Sequence, residues 1–404
     1  MRRLLALFLL LLIISASAAQ AGERRALASR FVQPNSNPVA KRAFDEFYNQ
    51  DYDRAIRAFE SLVKEHPDDP FATNYLTTAI LFKELYRIGA LETEGYANNS
   101  FMDRRTTRPL DPAVRARIRE LDSRAEAQAE RLLAQNPDDV DALYARGSAR
   151  AILCTYMGMG EKAWLNALRA AIAARRDHER VLELDPDYVD AKLVVGIHNY
   201  IVGSLSWPVR VSASIVGIGG NKKKGLQMLR QLADAGSLAS PDAKIALAMF
   251  LRREQAYDEA LRLVQGMSVA YPRSCLIALE YAHLLAAAGH GPESIAAYRQ
   301  ILTNCKERKY PLPEPAVAAF FLGVALRGQH RFEEAAQAFD SVGSYPESSR
   351  DLTERAMLAA GEMYDTLQKR GMAVQRYQEL LSASNNTVTV AAARRHLQQP
   401  YQFR

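Results

Sequence analysis

Along most of the chain, apolar residues return every three to four positions and charged residues fill the gaps. Between Gln50 and Pro70 the sequence reads QDYDRAIRAFESLVKEHPDDP. Tyr52, Ala55, Phe59 and Leu62 fall at helical spacing, and Pro67 ends the run. Similar endings return as HPDDPFA at His66, NPDDVDA at Asn136 and DPDYVDA at Asp185. A proline stops one helix, and the acids after it cap and favour the N-terminus of the next. The pattern predicts an all-helical body from about Pro38 to the C-terminus.

A second regularity pairs the helices. FFLGVALRGQHRFEEAAQAF from Phe320 and LAAGEMYDTLQKRGMAVQRY from Leu358 each carry a glycine, an alanine twelve residues later and an aromatic four after that. These are Gly323, Ala335, Phe339 and Gly361, Ala373, Tyr377. Small residues there let two antiparallel helices approach closely, and the ring fills the groove beside them. This spacing resembles the tetratricopeptide repeat, a helix-turn-helix unit of about 34 residues. The resemblance covers most of the chain and implies an all-α, right-handed α-solenoid of antiparallel helix hairpins. About six or seven repeats are expected, each stacked on its neighbours.

The early repeats are too long for that unit. Pro67 to Pro137 is about twice its length, and Pro137–Pro186 and Pro186–Pro241 each exceed it. The surplus falls in the turn within each hairpin: LYRIGALETEGYANNSFM from Leu85, CTYMGMGEKAWL from Cys154 and GSLSWPVRVSASIVGIGG from Gly203. Equivalent turns line up along one edge of a solenoid, so the three insertions are expected to meet and build an extra surface. Tyr86, Tyr96, Phe101, Tyr156, Trp164, Tyr200 and Trp207 lie in or beside them. Such aromatics either pack the insertions together or line a binding surface. The expected division is repeats with insertions over 38–240, regular repeats over 241–384, and a capping helix and tail over 385–404, preceded by a linker over 22–37.

The first helix of each hairpin is expected to face the concave side. There Tyr144, Ile197, His198, Asn199, Met249, Phe320 and Phe321, joined by Tyr156, Trp164 and Trp207 from the insertions, make a mixed, rather apolar partner-binding set. It suits an extended segment or an amphipathic helix of a protein partner. Gly196-x-x-Asn199-Tyr200-x-x-Gly203, then Pro208, then Gly219-Gly220-Asn221-Lys222 is similar to the core of the tetratricopeptide group that includes the fungal inclusion-body clearance protein. That similarity spans about Tyr144 to Leu232. It implies an adaptor, associated with lipid bodies and protein quality control, rather than an enzyme.

The N-terminus adds a compartment. MRRLLALFLLLLIISASAAQAGE has two arginines, an apolar run from Leu4 to Ile14, and small residues ending at Ala21. This predicts a secretory signal cleaved after Ala21, hence a periplasmic or secreted protein. The formal charge is +6 with basic residues scattered among acids, so no nucleic-acid footprint is read. Trp207 to Ile218 beside Lys222, Lys223 and Lys224 leaves open a shallow contact with a lipid or membrane surface. No Cys-x-x-Cys, His-Glu-x-x-His or Gly-x-Ser-x-Gly occurs. No catalytic set, metal or cofactor is therefore expected.

Cys275 opens one helix and Cys305 ends the next, each seven residues from the facing positions Ala282 and Tyr298. Both sulfurs should enter one interface, as a disulfide or as two buried thiols. The leading expectation is an exported scaffold for a protein or peptide. The second is a small-molecule or lipid binder using the insertion-built edge.

Overall fold

The computed structural model describes residues 31–34, 36–91, 108–205, 219–384 and 387–403. Among them the chain forms seventeen α-helices and no strand. They are α1 (Pro38–Tyr48), α2 (Tyr52–Glu65), α3 (Pro70–Arg87), α4 (Pro112–Gln135), α5 (Val140–Thr155), α6 (Trp164–Leu184), α7 (Lys192–Gly203) and α8 (Lys222–Asp234). There follow α9 (Ser240–Arg253), α10 (Tyr257–Ala270), α11 (Cys275–Ala287), α12 (Gly291–Lys306), α13 (Pro315–Gly328), α14 (Phe332–Ser341), α15 (Arg350–Thr366), α16 (Arg370–Ala383) and α17 (Thr387–Gln398). Consecutive helices pair into eight hairpins, and α17 packs on α15 and α16. The architecture is an all-α solenoid of helix hairpins.

Eight hairpins form where the spacing pointed to six or seven. The additional ones keep the register without its most visible letters. Ala43, Ala55 and Phe59 serve α1/α2, and Ala248, Ala260 and Val264 serve α9/α10, all buried. Alanine stands in for glycine and valine for an aromatic, so the motif is present but muted.

The described residues fall into two compact units. One comprises 31–47, 52–87 and 110–240; the other comprises 241–403 with the short pieces 48–51, 88–91 and 108–109. In the first unit the Pro-Asp endings act as caps. Asp69 Oδ1 accepts from Phe71 N at 2.7 Å, and Asp139 Oδ1 accepts from Ala142 N at 3.1 Å. In the third ending Tyr188 occupies the equivalent place, and α7 opens through an uncapped 3-10 turn, Val189–Ala191.

In the second unit the hairpins close by one repeated device. Gln255, Gly289, His330 and Gln368 each adopt positive φ between their helices. The next residue then donates to the carbonyl five back: Ala256 to Leu251 and His290 to Leu285 at 2.9 Å, Arg331 to Leu326 at 3.0 Å, and Lys369 to Tyr364 at 2.8 Å. Within hairpins the expected contact forms. A Cβ on Gly323 would lie 2.6 Å from the Phe339 ring, and one on Gly361 would lie 2.4 Å from Tyr377. Each ring therefore occupies the notch that the glycine leaves.

Candidate partner-binding surfaces

The first unit carries a row of rings across successive first helices. Phe71 of α3 stacks on Tyr144 of α5 at 5.8 Å, and Tyr144 meets Tyr188 at 4.9 Å. The Tyr188 hydroxyl donates to Asp141 at 3.2 Å. His178 of α6 closes the row from behind, 5.2 Å from Tyr144. It fills the notch at Gly147, where a Cβ would lie 2.5 Å from its Nδ1. Tyr144 is thus where partner contact was expected, but it is largely buried.

What covers the end of this row is the chain itself. Phe31 stacks on Phe71 at 5.2 Å. Val32 N donates to Asp69 Oδ2 at 2.6 Å, and the Tyr75 hydroxyl donates to Val32 O at 3.2 Å. Phe31 and Val32 are 8% and 5% exposed, so the segment expected to be a linker is docked from Phe31 onward. Burial pushes the Asp69 carboxyl up, while the N–H groups of Val32, Phe71 and Ala72 pull it back. None of these partners was singled out from the sequence. The available signal was Asp69 and Phe71 inside HPDDPFA.

The insertions contribute scaffold where they are described. The second forms a π-turn, Tyr156–Gly160, in which Tyr156 is fully buried. Its hydroxyl donates to Glu161 at 2.7 Å, and Arg115 and Arg119 of α4 each reach Glu161 at 2.9 Å. Burial opposes charge on Glu161, but the Tyr156 and Arg119 bonds outweigh it and hold the carboxyl below its usual range. Leu110, at the end of the first insertion, packs at Gly160, so these two insertions touch. Trp164 starts α6 half-buried, with Lys162 Nζ 5.5 Å from its ring. Trp207, Tyr96 and Phe101 lie outside the described residues.

On α7, Ile197 and His198 are half-buried and Asn199 is buried. Asn199 is structural: its Oδ1 accepts from Asn221 N at 3.2 Å and its Nδ2 donates to Val195 O at 2.9 Å, tying the far end of the third insertion to the helix. His198 Nε2 lies 2.8 Å from Arg175 Nη1 and 3.2 Å from Gly219 O. Burial and the neighbouring Arg175 charge hold its pKa below the usual histidine range. Below these, Asp177 receives Arg146 at 2.6 Å and Arg150 at 2.8 Å. Burial and Glu126 push the nearby Asp122 up to about 7, with Arg150 opposing.

The second unit has its own row. His283 of α11 meets Phe321 of α13 edge-on at 4.4 Å, Phe321 meets Phe320 at 5.3 Å, and Arg355 of α15 lies 4.6 Å over the Phe320 ring. Phe320 is buried, while Phe321 and Met249 are half-buried. Cys275 and Cys305 are free thiols. The neighbouring Cys305 sulfur and burial hold Cys275 well above the usual thiol range, and the neighbouring Cys275 thiol lowers Cys305. A cleft of about 490 Å³ beside Cys305 is lined by Leu302, Lys306, Pro313, Pro315, Tyr345 and Glu347 among others. At the C-terminus the buried Asp365 binds Arg370 at 2.8 Å, the Tyr377 hydroxyl at 3.0 Å and Tyr401 N at 2.8 Å. Among the described residues, no group of three or more His, Cys, Asp or Glu is placed to hold a metal, and no helix is long and apolar enough to cross a membrane.

Residues 203–392 match the family described as Iml2/Tetratricopeptide repeat protein 39, and residues 41–77 match the tetratricopeptide repeat. The chain carries tetratricopeptide repeats and resembles the Iml2 group over residues 203–392. The match lies further along this repeat protein than the motif-based similarity over Tyr144–Leu232, and the two share Gly203 to Leu232. No curated protein matches its sequence. A tetratricopeptide-repeat structure from Parabacteroides merdae is 16% identical, covers 79% of this chain and 98% of its own, and has a TM-score of 0.33. A thermophilic repeat protein of Thermus thermophilus is 17% identical over 62% of this chain and 98% of its own, at 0.34. The human IFIT1 dimer with m7Gppp-AAAA is 12% identical over 91% and 88%, at 0.42. None of these likenesses is close enough to carry a functional reading. What the tetratricopeptide repeats do support is a scaffold for protein–protein interaction.

Proposed function

We propose that the protein is an exported, non-catalytic adaptor that binds a protein or peptide partner in the cell envelope. The observation that carries this reading is the row of first-helix side chains in the second unit, in which half-buried Phe321 and exposed Arg355 are backed by buried His283 and Phe320. Three consecutive first helices contribute to it, and rings topped by a guanidinium are the residue types that anchor protein interfaces. Export is supported by the signal-like pattern ending at Ala21.

A photo-crosslinking residue at Phe321 tests the first part, with one at the exposed Val269 of a second helix as control. Discrete crosslinked protein bands at position 321 and none at 269 are expected in envelope extracts; equal labelling at both removes the assigned surface. Export is tested by N-terminal sequencing of the native protein, with Gly22 expected first and Met1 overturning it.

A further inference from the structure

Resting on that adaptor reading, we propose that Asp69 and Tyr75 read the main chain of an extended peptide, and that the chain's own Phe31–Val32 segment is bound there as a resident ligand. The partner class is an unfolded or extended polypeptide segment carrying an aromatic residue followed by an apolar one.

Three observations converge on this site. First, both main-chain polar groups of one residue are taken by side chains: Val32 N by Asp69 at 2.6 Å and Val32 O by the Tyr75 hydroxyl at 3.2 Å. Recognition of that kind depends on the backbone, so it serves many sequences. Second, the reading groups are held in place by the fold. The other Asp69 oxygen is fixed by Phe71 N and Ala72 N at the start of α3. The Tyr75 ring is clamped by Phe44 at 4.9 Å and Phe59 at 5.8 Å. Third, Phe31 sits at the end of the ring row Phe71, Tyr144, Tyr188 as a stacked member from outside the repeats. Residues 31–33 carry no helix, so the segment is held by these contacts rather than by its own secondary structure.

When the segment leaves, Asp69 Oδ2 faces outward as an acceptor, the Tyr75 hydroxyl as a donor and the Phe71 ring as a platform. A second segment with the same spacing of ring, N–H and C=O satisfies all three. Because the resident segment is covalently attached, it lowers the apparent affinity of any competitor by the fraction of time the site stands open.

The test is a fluorescence-anisotropy titration on the purified full chain. The probe is a labelled peptide with the sequence of residues 28–36, ASRFVQPNS. Phe31→Ala with Val32→Pro weakens the resident segment by removing its ring and its N–H. This variant is expected to bind the probe about tenfold or more tightly than the wild type. Adding Tyr75→Phe, which keeps the ring and removes only the hydroxyl, is expected to return affinity to the wild-type level. A probe with proline in place of its valine is expected not to bind. If the double variant loses its helical circular dichroism, Val32→Pro alone takes its place under the same criteria. No gain in affinity by a folded variant, or a gain indifferent to Tyr75→Phe, overturns the proposal. Because the titration needs no native partner, its failure leaves capture at Phe321 standing, and failed capture leaves the titration standing.

Discussion

The two units solve the same packing problem differently. In the second, the hairpins α13/α14 and α15/α16 seat an aromatic ring against a glycine, and every hairpin turns through one residue of positive φ. In the first, α1/α2 keeps the register of Ala43, Ala55 and Phe59, and the later hairpins depart from it. The glycine at 147 faces a histidine, Gly196 faces Leu229, and α7 and α8 approach so closely that a Cβ on Gly225 would lie 2.5 Å from Tyr200 N. The α5/α6 turn is a π-turn, Tyr156–Gly160, with Lys162 at positive φ after it. Both kinds of hairpin bury polar side chains: His178, Asp177 and Asp122 in the first unit, Glu280, His283 and Asp365 in the second. What differs is the helix–helix contact itself, a ring in a glycine notch in one unit and close backbone approach in the other.

The largest effect is expected where α7 and α8 meet backbone to backbone. Gly225→Ala meets backbone atoms that cannot rotate away, and should cost about 3 kcal/mol or more. Gly323→Ala meets a ring and should cost about 1–2 kcal/mol. Chemical denaturation of both checks this, and equal costs would erase the distinction between the units. Next come their buried carboxylates. Asp365→Ala removes a fully buried carboxylate that also holds the Tyr377 hydroxyl and Tyr401 N and should cost about 3 kcal/mol, whereas Asp177→Ala frees only Arg146 and Arg150, which keep about a fifth of their side-chain surface in water, and should cost about 2 kcal/mol.

A pH dependence follows for the first unit. Asp122 titrates near 7 when folded and near 4 when unfolded, so its contribution is fully present below about pH 4 and is lost as pH rises towards 7. Asp122→Asn should flatten the decline in melting temperature across that window; an unchanged slope would show that Asp122 is not its source. Mild oxidation is expected to join Cys275 to Cys305, seen as the loss of two hydrogens in intact mass with Cys154 still alkylatable. Three alkylatable cysteines after oxidation would exclude the bridge. The smallest effect is Gly266→Ala. Nothing lies within 4 Å of its Cβ position inside α10, so stability should rise by about 0.5–1 kcal/mol.

The repeat architecture was legible because its contacts are short in sequence. Gly323, Ala335 and Phe339 carry the hairpin in their spacing, and Pro67 with Asp69 carries a helix stop and a start. The same rules undercounted the hairpins that use Ala43 or Ala248, since alanine is too common to mark a register. The partner-binding set was only partly legible. Tyr144, Phe320 and Phe321 fall on first helices as projected, but periodicity does not report depth, so buried Tyr156 and Asn199 read like surface residues. The docking of Val32 on Asp69 spans 37 positions and has no period at all. Only the three-dimensional path of the chain brings it about.

Tyr188 stands where the two preceding repeats keep a capping aspartate, and the trade has a direction. A helix end without its cap gives up about 1 kcal/mol. In exchange a phenol joined the ring row and reached across to Asp141. Tandem copies of one hairpin can thus drift apart by a single codon, each sacrificing a little robustness to become a distinct tile in a shared wall. With aspartate at 188 in its place, this stretch should gain a cap and lose the far end of its row of rings.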